Sequence, residues 1–302
     1  MIESGMNNTD YKQKNPIFSI LCPTRGRPEN VRRFIDSIKY NCDNFNNIEI
    51  LFYVDDDDTE FPNEVLDYNI KKITGRRIWI SLAWNVLYVH SRGSIFMYAG
   101  DDLVFKTKGW DTIVFETFET FEDRILLVYG NDNGWHGSKI AIHGFVHGNW
   151  VNALGYFTYP GRTSPLDLWF TDVAKRINRA VYLPLLILEH VHYRQGAASA
   201  HFDKTYQETD QKNKAWTALT TYKKLKRERR IDRVILGKIM SPRPNLEYNY
   251  FIGELISKIQ KKKNLNIANE LRLLSLSNIE ILPILLVNIV RVILRKRNFS
   301  KN

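Results

Sequence analysis

Cysteine is scarce in this sequence, with only Cys22 and Cys42 among 302 residues. Two cysteines provide neither a disulfide framework nor a four-ligand zinc site, so the composition indicates a reducing compartment. Glycine and proline are also modest, at 16 and 10 residues, which excludes a fibrous or low-complexity chain. The hydrophobic fraction of 44% and the charged fraction of 25% are typical of a globular protein with a sizeable core.

Long apolar runs are also lacking, since a membrane-spanning helix needs about 20 predominantly apolar residues. The first 15 residues contain no apolar stretch of the secretory type, and we therefore expect a cytoplasmic protein. The most apolar segment, residues 279–294, is interrupted by Glu280, Pro283, Asn288 and Arg291. This pattern is typical of a helix lying in the membrane interface or of a helix packed on the body of the protein.

The net charge of +10 is unevenly distributed along the chain. Residues 221–302 contain 19 basic and 6 acidic residues, which leaves 24 basic and 27 acidic residues in the preceding part. The basic region is a candidate contact to an anionic membrane surface, here the inner face of the membrane, or to nucleic acid. A solvated helical face is the alternative interpretation of such a charge run.

Apolar runs alternate with helical periodicities through the first hundred residues. Strands are predicted from the short apolar runs near residues 16–22, 48–54, 78–80 and 94–99. Helices are predicted after Pro28, from apolar residues at helical spacing, and over residues 81–91. Further along, the sequence predicts strands at 125–129 and 181–188 and an amphipathic helix at 166–174.

This order predicts an α/β fold, a mainly parallel sheet flanked by helices. We expect three regions: a disordered tail (1–15), a domain that contains the predicted sheet (16–210) and a basic helical extension with an amphipathic C-terminal helix (211–302). The last boundary lies shortly before the change from a nearly neutral body to a strongly basic tail.

Three of the predicted strands end in polar residues. The first runs into Thr24 and Arg25, the second into the aspartates 55–58, and the fourth into Asp101 and Asp102. Because ligands of such sheets gather beyond the carboxyl ends of the strands, these residues are expected at one edge. Two acidic clusters at one edge repel each other unless a cation joins them. The pattern therefore predicts a metal site for an anionic ligand.

Two histidines follow the last predicted strand, His190 and His192. In an extended chain their side chains lie on the same face. Imidazoles near carboxylates fit a metal site of mixed oxygen and nitrogen ligands. A pair of structural histidines is the alternative interpretation.

The order of these motifs, PTRGRP after the first strand, VDDDD after the second and GDD after the fourth, resembles the family 2 glycosyltransferases with the GT-A fold. The later segments HGFVHGNWVNALGYF and EHVHYR are similar to phage and bacterial members of this group. The resemblance covers roughly residues 17–210. It implies a GT-A fold and a glycosyltransferase of the hexosyltransferase type, with a nucleotide-sugar donor, UDP-sugar favoured.

The resemblance also implies a role for individual residues. The candidates for binding the donor are Pro23, Thr24, Arg25, Asp55 and Asp101. Arg76, on the loop before the predicted third strand, is a further candidate because an arginine gives charge-assisted hydrogen bonds to phosphate, with a solvated side chain as the alternative. The candidate ligands of a divalent cation, Mn²⁺ or Mg²⁺, are Asp101, Asp102, His192 and His190. The GDD motif departs from the D-x-D element of the family, because Ala99 stands where the first aspartate would be.

The resemblance places the catalytic base on the predicted helix at 166–174, with Asp167 as the first candidate and Asp172 as the second. The glutamate that usually precedes the aspartate is missing. Such a base would give inversion at the sugar. The expected acceptor is a lipid-linked or surface glycan, as in polysaccharide biosynthesis. The alternatives are a glycosyltransferase acting on modified DNA bases and a non-catalytic binding or scaffold protein with the same fold.

Overall fold

The structure is a computed structural model that describes residues 15–134, 136–160, 165–192 and 215–240. The predictions for the N-terminal tail and for the apolar segment at 279–294 fall outside these ranges and stay predictions. None of the helices within the described ranges is long and apolar enough to cross a membrane.

The described chain forms one eight-stranded sheet flanked by helices. The strands are β1 (Phe18–Thr24), β2 (Ile48–Asp55), β3 (Ile70–Gly75), β4 (Ile95–Tyr98), β5 (Leu103–Phe105), β6 (Leu127–Asn131), β7 (Gly144–His147) and β8 (Ala180–His190). The helices are α1 (Pro28–Asn41), α2 (Ile80–His90), α3 (Trp110–Phe118), α4 (Gly148–Leu154), α5 (Leu166–Arg176), α6 (Ala215–Lys224) and α7 (Lys226–Ile239). The predicted α/β class is confirmed.

The strand order across the sheet is β3-β2-β1-β4-β7-β6-β8-β5. The first four strands are parallel to one another, as the alternation of strands and helices predicts. The second half is mixed: β7 runs antiparallel to β4 and β6, β8 is parallel to β6, and β5 is antiparallel to β8. The carboxyl ends of β1, β2 and β4 therefore meet at one edge.

Both faces of the central sheet are buried, which explains the continuous apolar runs of its strands. In β1, Ile20 and Cys22 contribute to one hydrophobic cluster, while Leu21 contributes to the cluster on the opposite face. Helix α1 covers the first face with the four apolar residues that predicted it, Val31, Phe34, Ile35 and Ile38.

The prediction of a strand at residues 78–80 is wrong. The third strand is β3, and Ile80 instead begins α2. Strand β3 lies at the edge of the sheet, and only Ile70 among its residues is fully buried, so its sequence lacks a continuous apolar run. Ile78 and Ile80 are apolar because they line an open cleft and not because they lie in the sheet.

Helix α7, in the basic region, packs on the body of the protein against α4 and α5. Its inward residues are Arg229, Asp232 and Leu236, all buried. They follow one another at three and four residues, so they lie on one face of the helix. The opposite face carries exposed aliphatic residues, Ile231 and Val234, beside basic ones.

Candidate functional site

A cleft of about 360 Å³ lies at the carboxyl ends of β1, β2 and β4. This volume is within the usual range of small-molecule sites, about 300–1,000 Å³. One wall is apolar, formed by Ile78, Ile80 and Trp84, and the rest is polar. The polar lining residues are Thr24, Arg25, Arg27, Tyr53, Asp55, Arg77, Asp101, Asp102 and His143.

Arg25 joins the loop after β1 to the acidic end of β2. Its guanidinium donates to Oδ2 of Asp55 at 3.0 Å and forms a bidentate pair with Asp57. Nε of Arg77 lies 3.7 Å from the same carboxylate oxygen of Asp55. Burial raises the pKa of Asp55, and the two arginines oppose this rise. Positive and negative charges therefore alternate along this wall of the cleft.

Asp101 is tied to the loop after β1. The Thr24 hydroxyl donates to its Oδ2 at 2.6 Å, and Nη1 of Arg27 lies 3.1 Å from its Oδ1. Burial raises the pKa of Asp101, and the charge of Asp102 adds to that effect, while Arg27 and Thr24 oppose it. Both oxygens of Asp101 are thus engaged by protein donors.

Asp102 belongs to a different cluster, with His143 and His190. The ligand atoms of these three residues lie within 4.8 Å of one another. Nε2 of His190 is 3.2 Å from Oδ2 of Asp102, and the rings of His143 and His190 meet edge to face at 5.1 Å between centroids. A carboxylate and two imidazoles are ligands that a divalent transition-metal ion accepts.

The sheet register brings these three residues together. Tyr98 at the end of β4 pairs with Gly144 at the start of β7, which sets the GDD turn beside His143. Leu103 at the start of β5 pairs with His190 at the end of β8, and the amide of Val191 donates to the carbonyl of Asp102 at 2.7 Å.

The two clustered histidines differ electrostatically. Burial lowers the pKa of His143 to about 3, and the proximity of His190 contributes to this. Burial also acts to lower the pKa of His190, but the hydrogen bond and charge of Asp102 outweigh it, so that its pKa is raised. A neutral imidazole such as His143 offers a lone pair to a cation.

Asp167 lies in the first turn of α5 and is partly buried. Burial raises its pKa, while the backbone amide of Leu168 and the charges of His136 and His190 act in the opposite direction. The charge of His190, a member of the histidine cluster, is thus among those that act on Asp167. Asp172 lies elsewhere on the helix, where it pairs with Arg176 at 2.7 Å and with Arg229 at 3.0 Å.

The remaining predicted site residues are at the rim of these clusters. Pro23 lines the cleft, whereas Arg76 is exposed and its carbonyl accepts a hydrogen bond from the Tyr53 hydroxyl at 2.7 Å. His192 follows β8, with its ring 5.2 Å from that of His190, and it is not among the three clustered residues.

Sequence reasoning missed His143 and Arg27 as individual site residues. Arg27 could have been found, because it belongs to the same PTRGRP motif as Thr24 and Arg25. His143 carries no local signal, since its position beside Asp102 depends on the antiparallel pairing of β4 with β7.

Comparison with known proteins gives structural matches alone. No family model matches the sequence, and no curated protein matches it. The structure is similar to TarS of S. aureus (1–349), at a TM-score of 0.46 and 12% identity over 57% of this chain and 59% of that chain. It is also similar to the mannosyltransferase PcManGT of Pyrobaculum calidifontis in complex with GDP-Man and Mn²⁺, at a TM-score of 0.48 and 14% identity over 60% of this chain and 59% of that chain. This chain thus spans about 59% of the length of these proteins, and TM-scores below 0.5 do not define a family for it.

Proposed function

We propose that the chain is a metal-dependent glycosyltransferase of the GT-A type that moves a sugar from a nucleotide diphosphate to a hydroxyl acceptor. One observation carries the proposal: a single cleft combines an apolar wall and an arginine-aspartate network with the GDD turn, where Asp102 meets two histidines. A sugar nucleotide presents a flat base, a ribose with hydroxyl groups and a diphosphate, which match these surfaces in kind.

The donor would lie along the cleft, with its base against Ile78 and Ile80 and its ribose near Asp55. Arg25 and Arg77 supply charge-assisted donors for the diphosphate. Pro23 and Thr24 form the backbone wall beside them, and Arg76 extends the basic loop at the rim. A UDP-sugar is the donor we favour from the sequence resemblance.

The residues present fit a divalent cation. Asp102 and His190 already face each other, and both ring nitrogens of His143 are buried without a hydrogen bond of normal geometry in the described part of the chain, although the Tyr98 backbone lies close. Asp101 and His192 lie beside this group as further candidates. A bound cation would act as a Lewis acid and neutralise charge on the leaving diphosphate.

Asp167 is our candidate for the catalytic base. A carboxylate whose pKa is raised by burial is a stronger proton acceptor than an exposed one. It would take the proton of the acceptor hydroxyl as that oxygen attacks the sugar from the face opposite the diphosphate, which gives inversion. Asp172 is less suited, because Arg176 and Arg229 already engage its carboxylate.

A thermal-shift panel of uridine, guanosine, cytidine and thymidine diphosphate sugars, with and without Mn²⁺, tests the function. We expect one donor class to raise the melting temperature in the presence of the ion and to be turned over. Asp102→Asn should abolish turnover, while Asp36→Asn, an exposed change on α1, should leave it intact. A shift without turnover for any acceptor would favour a non-catalytic binding protein, and the absence of both would overturn the proposal.

We further propose that the acceptor is lipid-linked or a surface glycan and that the basic region contacts anionic lipid. The outward face of α7 supports this contact, because Ile231 and Val234 lie exposed there among Arg227, Arg230 and Lys238. Aliphatic residues flanked by basic ones suit the boundary between lipid head groups and acyl chains. Binding to duplex DNA instead would favour transfer to modified bases.

A further inference from the structure

His143 is a buried histidine whose two ring nitrogens lack a regular hydrogen-bond partner in the described part of the chain. Its relative exposure is 8%, and neither ring nitrogen makes a hydrogen bond of normal geometry within the described ranges. Leaving buried polar groups unpaired costs about 1–3 kcal/mol each, so native proteins pair nearly all of them. An imidazole in this state therefore points to a missing partner.

The surroundings of His143 indicate that the partner is a cation. Its ring lies at 5.1 Å from the ring of His190, and a ligand atom of Asp102 completes a group within 4.8 Å. Two ligands of one ion lie at most about 4 Å apart, since metal–ligand bonds to nitrogen and oxygen are about 2 Å. Tetrahedral ligands at about 2 Å from an ion lie about 3.3 Å apart, so the widest spacing in this group, at most 4.8 Å, would close by up to about 1.5 Å on binding.

Two neighbouring residues that could also bind a metal ion, Asp101 and His147, already make hydrogen bonds or ion pairs within the protein. Asp101 is held by Thr24 and Arg27, so a cation would compete with a guanidinium for its oxygens. His147, the other histidine of the same segment, caps α4 by accepting from the amide of Asn149 at 3.1 Å. Asp102, His143 and His190 remain the only group of three such ligands in the part of the chain that the structure describes.

We infer that His143 is a direct ligand of the cation, together with Asp102 and His190, and that the site selects an imidazole-binding transition-metal ion over Mg²⁺. The inference rests on the proposed function for the role of the ion but not for its binding. Mg²⁺ requires oxygen ligands and retains its waters, whereas imidazole affinity rises from Mn²⁺ towards Co²⁺ and Zn²⁺. Three protein ligands also leave coordination positions open for a substrate.

The test measures metal binding by the full chain without any nucleotide, using Co²⁺, Zn²⁺ and Mg²⁺ in calorimetric titrations. The variants are His143→Leu and His143→Gln, with His90→Gln as the control, because His90 is exposed at the end of α2. We expect wild type and the control to bind Co²⁺ and Zn²⁺ more tightly than Mg²⁺. Both position-143 variants should lose at least about tenfold in Co²⁺ and Zn²⁺ affinity, since even outer-shell changes cost 10–100-fold.

The His143→Leu variant is expected to stay folded, so that a loss of metal binding in it can be assigned to the missing imidazole. Replacing a buried imidazole that makes no hydrogen bond of normal geometry by an apolar side chain is expected to keep or raise the melting temperature of the metal-free protein. Bound Co²⁺ adds a second readout, because its visible absorption changes when one nitrogen ligand is lost.

The outcomes separate this inference from the proposed function. Co²⁺ binding and an absorption spectrum that are unchanged in folded His143→Leu would overturn the inference, even if sugar nucleotides bind. Tighter binding of Mg²⁺ than of Co²⁺ or Zn²⁺ would also overturn it. Metal binding that depends on His143, without any response to sugar nucleotides, would support the inference while contradicting the glycosyltransferase.

Discussion

Gly100 lies directly against the side chains of the candidate metal site. A Cβ atom at this position would be 2.7 Å from Oδ1 of Asp102 and 3.5 Å from Cε1 of His143. The shorter distance is below any normal contact, so the Asp102 carboxylate would have to move. A side chain at position 100 would therefore displace a candidate metal ligand.

Gly100→Ala should accordingly weaken metal binding by about tenfold or more, comparable to other disturbances of ligand orientation. Calorimetric titration with Co²⁺ measures the effect. Gly148→Ala is the matched control, because the nearest atoms to its added Cβ lie at 3.6 Å, an ordinary contact. Equal affinity in the two variants would contradict this account of Gly100.

Asp167 and Asp172 have opposite pKa shifts on the same helix. The folded pKa of Asp167 is raised by burial, so its ionisation destabilises the native state as the pH rises above about 3.9, the unfolded value. Asp172 is also desolvated, but hydrogen bonds from Arg176 and Arg229 outweigh this and lower its pKa, so its charged form stabilises the fold. That contribution is present above the unfolded pKa and is lost as the pH falls through the folded one.

We therefore expect Asp167→Asn to raise the melting temperature at pH 7 and Asp172→Asn to lower it. Both differences should shrink in acid, that of Asp167→Asn as the pH falls towards about 3.9 and that of Asp172→Asn at lower pH, because the folded pKa of Asp172 is lowered. Asp167→Asn should also reduce sugar transfer by about 10²–10⁴-fold, the usual contribution of a general base. Melting curves at a series of pH values check the signs, and a shift of the same sign for both variants would refute them.

Helix α7 is joined by an ion pair and a hydrogen bond to α5, the helix that carries Asp167. Arg229 pairs with Asp172 of α5, and Asp232 accepts from Nε1 of Trp169 at 2.8 Å and from the Tyr156 hydroxyl. Arg229 also lies over the ring of Tyr222, at 3.7 Å from its centroid. The first part of the basic region thus takes part in positioning the candidate catalytic helix.

Arg229→Ala should lower the free energy of unfolding by about 2 kcal/mol, since it removes hydrogen bonds to a charged partner and leaves Asp172 with Arg176 alone. Urea titration measures the loss. The control is Arg230→Ala on the exposed face, which should change stability by no more than about 0.5 kcal/mol. Similar losses in the two variants would show that the pairing with Asp172 contributes nothing.

Much of the element pattern could be predicted because it depends on local features. The helical spacing of α1 and the apolar runs of β1 and β2 reflect burial on one or both sides. β3 could not be predicted, since an edge strand needs few apolar residues, and the position of His143 depends on strand pairing across the sheet. The inward face of α7 was hidden within a basic run, although the spacing of Arg229, Asp232 and Leu236 was present in it.

The uneven distribution of charge along the sequence corresponds to two different surfaces of the molecule. Asp55, Asp101 and Asp102 line the cleft beside arginines and His143, whereas the exposed face of α7 is basic and partly apolar. These surfaces are expected to act on different partners.

Vesicle flotation of the full chain tests the basic surface. We expect binding to vesicles with anionic lipid and weaker binding at high salt, because the attraction is screened. The double variant Ile231→Asp and Val234→Asp should bind about tenfold more weakly, since partial burial of two aliphatic side chains contributes about 1–2 kcal/mol. Val89→Asp, at an exposed position on α2, is the control. Undiminished flotation of the double variant, or none by wild type, would contradict lipid contact through α7.

The three clustered ligands come from the turn after β4, the residue before β7 and the end of β8, which are distant in sequence and meet only when the sheet is complete. The unfolded chain therefore has no preformed site, and an ion bound there is a ligand of the native state alone. By mass action, free metal at 100 times its dissociation constant would add about 2.7 kcal/mol to the stability of the native state. Bound metal would then also protect the chain from proteolysis, because it lowers the population of the unfolded form.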